Sequence, residues 1–306
     1  MGYDIIGDIH GHADALVTLL RKLGYREQQG AWKHPGRTAI FVGDFIDRGP
    51  GQLETVRLVR SMVDASAALA VMGNHEFNAI AWNTPHPDLT GEYLRRRNAK
   101  NHEQHAAFLA ETADNPELHQ NILDWFLTLP LWLDLPGLRV VHACWHPGHI
   151  DEIAPLLQPG HTLDAALVAA ASDRGSRVFR IVEDILKGPE VALPDGQMFP
   201  QGGHMRSDAR VRWWDASATT FRRASIVDAD TQMLLPDTLI PDTIRLGYDG
   251  DKPVFFGHYW MTGVPRPLAP HVACVDYSAG RGGPLVVYRW DGESHLDKDH
   301  FVRAGD

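Results

Sequence analysis

The chain has 306 residues, of which 44% are hydrophobic and 22% charged, a composition typical of a globular protein with a sizeable core. The formal net charge of −10 disfavours binding of long nucleic acids, because such binding depends on clustered lysine and arginine. Two cysteines exclude a disulfide framework, and no run of 18 uninterrupted apolar residues predicts a membrane span. No signal-peptide pattern follows Met1, so we expect a cytoplasmic protein without membrane contacts.

The first third of the chain alternates between short apolar runs and helical patterns. The runs that predict strands are 3–6, 38–42 and 69–72. Apolar stripes at helical spacing cover 13–23 and 52–63. This alternation predicts parallel strands covered by helices, and hence an α/β protein.

The rest of the chain is less regular. Residues 76–127 predict helices, with 95–97, three consecutive arginines, on a solvated helix face. Runs at 138–142 and 253–258 predict strands that end in a histidine. The segment at about 150–250 is rich in proline and glycine, so we interpret it as a substrate-facing insertion within a single 1–306 domain. The tail, 274–290, predicts two strands, consistent with a second sheet packed on the first.

Polar blocks follow the first three predicted strands directly. They read GDIHG at 7–11, GDFIDRG at 43–49 and GNHE at 73–76. Open α/β sheets form their sites at the carboxyl ends of strands, so these blocks are expected to converge. Their oxygen and imidazole donors suit divalent metals, and Asp44 could bridge two ions through its two carboxylate oxygens. The expected metal ligands are Asp8, His10, Asp44, Asn74, His142 and His258.

The three blocks, in this order and each after an apolar run, resemble those of the calcineurin-like metallophosphoesterase superfamily, and within it the PPP-type phosphatases. The resemblance covers residues 7–76, while His142 and His258 match only in order and strand-end context. It implies an αββα sandwich of two mixed sheets flanked by helices. It also implies two divalent metal ions. Mn²⁺ is the first expectation for both, and Fe, Zn²⁺, Ni²⁺ and Co²⁺ are alternatives.

The remaining residues of the blocks suit roles that a metal cannot perform. His75 is next to a ligand and is the expected general acid, and Asp47 would hold its imidazole in the charged form. Arg48 offers a planar fork for two phosphate oxygens. The resemblance implies the same three roles and a second phosphate-binding arginine before the last histidine, for which Arg212 is preferred among the arginines of 206–223.

Two questions stay open at the level of sequence. His146 or His149 could replace His142 as a ligand, because the residues after His142 depart from the PPP pattern. The substrate is also open, since in-line attack by a metal-bridging hydroxide suits several phosphate compounds. The first expectation is a phosphomonoester, including a phosphoprotein, and the alternative is a dinucleoside tetraphosphate, as in bacterial diadenosine tetraphosphate hydrolases. A small-molecule phosphodiesterase or a catalytically silent metal-binding scaffold is the second alternative, and the compact pattern looks bacterial.

Overall fold

The computed structural model describes residues 2–201 and 204–305, which fold as two compact units. The first unit is Met1–Leu186 with Lys252–Asp306, and the second is Lys187–Asp251. The α-helices are α1 (Ala13–Leu23), α2 (Gln52–Asp64), α3 (Asn74–Asn83), α4 (Ala99–Thr112), α5 (Pro116–Phe126), α6 (Pro147–Ile153), α7 (Ala165–Ser172), α8 (Arg177–Lys187), α9 (Phe221–Ala224) and α10 (Ala229–Leu234). The strands are β1 (Gly2–Ile6), β2 (Arg26–Gln28), β3 (Ala31–Lys33), β4 (Arg37–Phe41), β5 (Ala68–Ala70), β6 (Trp132–Asp134), β7 (Arg139–Val141), β8 (Glu190–Ala192), β9 (Phe199–Gln201), β10 (His204–Arg206), β11 (Asp208–Arg210), β12 (Val254–Phe256), β13 (Val272–Cys274), β14 (Val286–Trp290) and β15 (Phe301–Arg303).

The first unit contains two mixed sheets. The five-stranded sheet has the order β15-β14-β1-β4-β5, in which β1, β4 and β5 are parallel and β14 and β15 are antiparallel to their neighbours. The four-stranded sheet has the order β13-β12-β7-β6, in which β7, β12 and β13 are parallel. The predicted mixed α/β fold is therefore confirmed.

The two sheets share one hydrophobic core. Ile5 and Ile40 of the five-stranded sheet belong to the same buried cluster as Val140, Phe255 and Ala273 of the four-stranded sheet. This shared cluster means that the sheets pack against each other, as expected. The two tail strands nevertheless divide between the sheets, since β13 pairs with β12 and β14 pairs with β1.

The helices between the first strands follow their sequence patterns. In α1, Leu16, Leu19 and Leu20 are fully buried on one stripe, and the helix ends at Gly24 in the left-handed conformation (φ 96°). Helix α2 spans the second predicted stripe and buries Val56 and Val59. Both helical predictions are confirmed. Each buried helix holds the end of the loop that precedes it.

The prediction of a helix face at 95–97 is wrong. These three arginines lie in a loop before α4, which begins after its N-cap residue Asn98. Arg97 packs over the Tyr93 ring at 3.2 Å and donates to the Trp82 carbonyl oxygen at 3.0 Å. Arg95 donates to Gln104 at 2.8 Å. The local contacts of these guanidinium groups to aromatic and amide groups stabilise the loop instead of a further helical turn.

The second unit has its own small core. Strands β8 and β11 form one antiparallel pair and β9 and β10 form another, followed by α9 and α10. Phe199, Ala209, Phe221 and Leu235 are buried together in this unit. The substrate-facing role of the segment at about 150–250 stays a prediction. In neither unit do the described residues include a helix long and apolar enough to cross a bilayer.

Candidate metal centre

The predicted ligands gather at the carboxyl ends of strands from both sheets. Asp8 follows β1, Asp44 follows β4, and Asn74 opens α3 just after β5. His142 follows β7 and His258 follows β12. The turns that carry them are strained: φ is positive at His10 (48°), Asp44 (53°) and His258 (72°), a conformation that costs about 1–3 kcal/mol per residue. Six side chains that are far apart in sequence thus occupy one buried site.

The first donor group consists of Asp8, His10 and Asp44, all buried. His10 Nδ1 is 3.0 Å from the Ile46 carbonyl oxygen, so it donates there and leaves the lone pair on Nε2. His10 Nε2 is 3.6 Å from Asp44 Oδ2. Asp8 Oδ2 accepts a hydrogen bond from the His258 backbone N–H at 2.9 Å. Asp8 Oδ1 and His10 Nε2 are buried and have no hydrogen-bond partner among the described residues.

The second donor group consists of Asp44, Asn74, His142 and His258. His142 Nδ1 donates to the Val42 carbonyl oxygen at 2.7 Å, which directs Nε2 toward Asp44 Oδ1 at 3.4 Å and Asn74 Oδ1 at 3.1 Å. His258 Nδ1 is 2.8 Å from the same Asn74 oxygen. The donor atoms of Asp44, His142 and His258 all lie within 4.8 Å of one another. Asp44 therefore directs one carboxylate oxygen to each donor group.

Carboxylates crowd this site, and burial together with the charges of neighbouring carboxylates raises the pKa of three of them. Burial and the charges of Asp276 and Asp44 raise the pKa of Asp8 well above its usual value. Burial raises the pKa of Asp276 to about 6, and burial with the Asp44 charge raises that of Glu76 to about 7. Burial and the nearby His75 lower the pKa of His10 to about 3, which keeps its imidazole neutral and able to bind a metal.

These observations fit divalent metal ions. Within the described part of the chain, Asp8 Oδ1 and His10 Nε2 lack hydrogen-bond partners. Two imidazoles have their tautomers fixed by backbone carbonyls, and carboxylates repel each other in the same space. A divalent cation offsets such a concentration of negative charge. The donor set contains carboxylate, amide and imidazole groups without a thiolate, which suits Mn²⁺, Fe, Zn²⁺, Ni²⁺ or Co²⁺.

His75 lies beside the donor groups with a carboxylate behind it. Its Nδ1 is 2.5 Å from Asp47 Oδ2, and its Nε2 is 3.9 Å from Asp44 Oδ2. Burial alone would lower the pKa of His75, but the charges of Asp44 and Asp47 more than offset it, so the pKa is raised. The Asp47 carboxylate also accepts a hydrogen bond from His105 Nδ1 at 2.8 Å. Asp47 thus joins two buried histidines, of which one faces the donor groups.

Arg48 is exposed at the edge of the centre. Its φ is 77°, and its guanidinium carbon is 4.6 Å from the centre of the Trp260 ring. No carboxylate oxygen of the described chain lies within ion-pair distance of this guanidinium. The phosphate-binding role of Arg48 stays a prediction.

Three supporting residues were missed in the sequence. The Glu76 carboxylate accepts hydrogen bonds from the backbone N–H groups of Asp44 (2.8 Å), Phe45 (2.8 Å) and Gly73 (3.0 Å), which ties the loop after β4 to the start of α3. Asp276, at the end of β13, accepts from the Trp260 and Ser278 backbone N–H groups at 2.7 and 2.9 Å. Asp276 could have been predicted as a site residue, because it directly follows the apolar run 272–275. The sequence around His105 has no such feature.

The structure separates the three candidate histidines after β7. His142 lies beside Asp44, whereas His146 and His149 stack on each other at the start of α6, with ring centres 3.7 Å apart. His149 Nδ1 is 3.3 Å from Asp184 instead of facing the donor groups. Arg212 belongs to the second unit, where its backbone N–H donates to the Ala224 carbonyl at 2.8 Å, and its phosphate-binding role stays a prediction.

Comparison with curated proteins identifies two kinds of relative. A 76-residue stretch is 53% identical to the asymmetrical bis(5'-nucleosyl)-tetraphosphatase PrpE of Halalkalibacterium halodurans and covers 24% of this chain but only 31% of that protein. The symmetrical bis(5'-nucleosyl)-tetraphosphatase of Vibrio cholerae is 27% identical over 318 aligned positions, which cover 98% of this chain and 97% of that protein.

Comparison with solved structures and family models agrees with the fold. A protein serine/threonine phosphatase from Saccharomyces cerevisiae superimposes with a TM-score of 0.51 at 14% identity, over 99% of this chain and 78% of that one, which shows a shared fold. The calcineurin-like phosphoesterase model matches residues 1–162, which include all three polar blocks. Since that match spans more than half of the 306 residues, the chain belongs to the calcineurin-like phosphoesterases.

Proposed function

We propose that the chain hydrolyses phosphate compounds with two divalent ions, the first held by Asp8, His10 and Asp44. The second ion is held by Asp44 together with Asn74, His142 and His258. The observation that carries this proposal is the position of Asp44, whose Oδ2 is 3.6 Å from His10 Nε2 and whose Oδ1 is 3.4 Å from His142 Nε2. Two ions there would supply an activated water and positive charge for the phosphoryl oxygens, with Mn²⁺ as the first choice.

The side chains around the ions complete the reaction. His75 donates a proton from Nε2 to the departing oxygen, because its Nδ1 is held by Asp47 and its raised pKa favours the charged imidazole. Arg48 binds two phosphoryl oxygens with its planar fork. Arg212 is the proposed second phosphate-binding arginine. The presence of His75, Asp47 and Arg48 with the ligands supports turnover over a catalytically silent scaffold.

The first proposed substrate class is a phosphomonoester, including a phosphoprotein. A dinucleoside tetraphosphate is the second candidate, and the relatives favour it. The Vibrio cholerae relative that carries this name aligns with 98% of the chain, so the likeness includes the second unit as well as the metal-binding blocks.

An activity panel tests both candidates on the manganese-loaded protein. The substrates are an aryl phosphate, a phosphopeptide, a bis-aryl phosphate and diadenosine tetraphosphate, compared by kcat/KM. Asp44→Asn should abolish turnover, whereas Asp64→Asn, at a side chain that is 64% exposed on α2, should not change it. Absence of turnover with all four substrates, while metal analysis finds two ions bound, would refute the proposal.

A further inference from the structure

The loop after Asp276 lies directly against the metal centre. A Cβ atom added to Gly280 would lie 2.6 Å from His10 Cδ2 and 2.7 Å from Arg48 Cδ, so only glycine allows this approach. The next residue, Arg281, is exposed, and its guanidinium carbon is 3.5 Å from the centre of the Trp260 ring. Arg281 is therefore held at the rim of the centre although it lies more than 200 positions from the polar blocks.

The buried carboxylate of Asp276 holds the backbone of the two segments that contain Trp260 and Arg281. Asp276 is 1% exposed, and its Oδ2 accepts from the Trp260 backbone N–H while its Oδ1 accepts from that of Ser278. Ser278 Oγ also donates to the Met261 carbonyl oxygen at 3.1 Å, which joins the two segments a second time. The backbone at Trp260 and the 278–281 turn are thus joined and preorganised, so a ligand that contacts these segments need not order them.

Two guanidinium groups contact the same indole ring. Arg48 lies 4.6 Å and Arg281 lies 3.5 Å from its centre. The ring's negative face favours each cation. Two planar forks on one ring suit a ligand with two phosphoryl groups better than a single phosphate.

We propose that Arg281, positioned by Trp260, binds a second phosphoryl group of the substrate, next to the one that Arg48 holds at the metal centre. This inference rests on the proposed function, because it takes the reacting phosphoryl group to lie at Arg48. It favours the second candidate of the proposed function, a dinucleoside tetraphosphate or another compound with linked phosphates, over the first, a phosphomonoester. Trp260 is a positioning residue in this arrangement, since it acts through the two arginines.

Binding of two stable phosphonates to the manganese-loaded protein tests the proposal by calorimetry. Methylenediphosphonate carries two linked phosphoryl groups and methylphosphonate carries one, and neither P–C bond is hydrolysed. Loss of a charged hydrogen-bonding partner should weaken binding of methylenediphosphonate to Arg281→Ala about 10- to 100-fold. Binding of methylphosphonate should weaken less than about threefold, and Arg281→Lys, which keeps the charge but loses the fork, should lie between wild type and Arg281→Ala.

Arg21→Ala is the matched control, because Arg21 is also exposed and also stacks on an indole, that of Trp32 at 5.5 Å, at the far end of α1. It should bind both phosphonates as wild type does, and metal analysis should find equal metal content in all variants. Equal weakening of both ligands by Arg281→Ala, or no weakening of either, would overturn the inference. Turnover by the wild type is measured separately with the four substrates of the activity panel: absence of turnover with all four, while two ions are bound, would refute the proposed function, and the two affinities would still report on Arg281.

Discussion

Asp47 accepts hydrogen bonds from His75 and His105, one on each carboxylate oxygen. The three side chains are buried, so the orientation of the His75 imidazole is fixed before any substrate binds. A fixed imidazole with a raised pKa, beside the proposed metal ligands, suits protonation of a departing oxygen.

Replacement of His75 should separate proton donation from metal binding. We expect His75→Asn to keep both metals but lose about 10²–10⁴-fold in kcat for substrates with poor leaving groups. The loss should shrink with more acidic leaving groups, because these depart without a proton. The measurement is kcat for a series of aryl phosphates with metal analysis of each sample. An equal loss across the series would assign His75 to positioning of the substrate or the metal.

His105 should act only through Asp47. His105→Phe keeps a ring of similar size against Trp82 and Phe108 but removes the hydrogen bond to Asp47, and we expect roughly tenfold lower kcat. In an Asp47→Asn background the same change should have no further effect, as a double-mutant cycle would show. Additive losses of kcat in the cycle would mean that His105 contributes independently, for instance through packing of α4.

At this scale the sequence predicted the side chains inside the polar blocks, and the structure brings those donors together. It could not predict His105, because a histidine on a helix has no local feature that reveals a partner 58 residues away. Trp260 and Arg281 could not be predicted for a related reason. Their position beside the centre depends on Gly280, which lets its loop approach His10 and Arg48 closely. His142 could be told from His146 and His149 only once the turn into α6 was visible.

At the scale of elements, a buried carboxylate joins three strands of the five-stranded sheet. Asp4 on β1 is fully buried and pairs with Arg37 on β4 at 2.8 Å and with Arg289 on β14 at 3.1 Å. The Tyr25 hydroxyl donates to the same carboxylate at 3.1 Å. Asp4 lies in the middle of β1, four positions before Asp8, and none of its three partners belongs to the proposed metal centre, so we expect these contacts to contribute to stability and not to chemistry.

Loss of one of these partners should destabilise the fold. Arg37→Ala leaves Asp4 buried with Arg289 alone as its cation, and we expect the free energy of unfolding to fall by about 3 kcal/mol. Arg57→Ala is the control, since Arg57 pairs with Glu54 on the surface of α2, with side chains 53% and 49% exposed, and should cost about 0–1 kcal/mol. Urea unfolding measures both, and equal effects would contradict a structural role for Asp4.

The sequence predicted helices better than it predicted sheet membership. The stripes of α1 and α2 were visible because a helix buries one face at a fixed period. The tail strands β13 and β14 join different sheets, and alternation of side chains along a strand holds no information about which sheet it pairs with. The arginines at 95–97 were misread because helical composition persists through a loop whose stability comes from Tyr93 and Trp82.

At the scale of the whole molecule, metal binding and folding are linked. Ligands that bind only the folded chain stabilise it by about 2.7 kcal/mol at 100 times the dissociation constant. We expect Mn²⁺ to raise the thermal unfolding temperature, and a chelator to reverse this shift and abolish turnover. Asp44→Asn should show a smaller shift and fewer than two ions per chain. Unchanged unfolding temperatures with and without Mn²⁺, or two ions in Asp44→Asn, would contradict the bridging role of Asp44.

The donors of the centre span almost the whole chain, as the hydrogen bond between the His258 backbone and Asp8, 250 positions apart, illustrates. During synthesis on the ribosome, β1, β4 and β5 emerge long before β12 and β13. A nascent chain that has exposed only the three polar blocks can offer Asp8, His10, Asp44 and Asn74, but not His258 or the Asp276 carboxylate that fixes the rim. If the proposed site is correct, full metal loading therefore reports that translation and folding of both sheets are complete, and a chain that ends soon after the polar blocks would lack His142 and His258 and remain inactive.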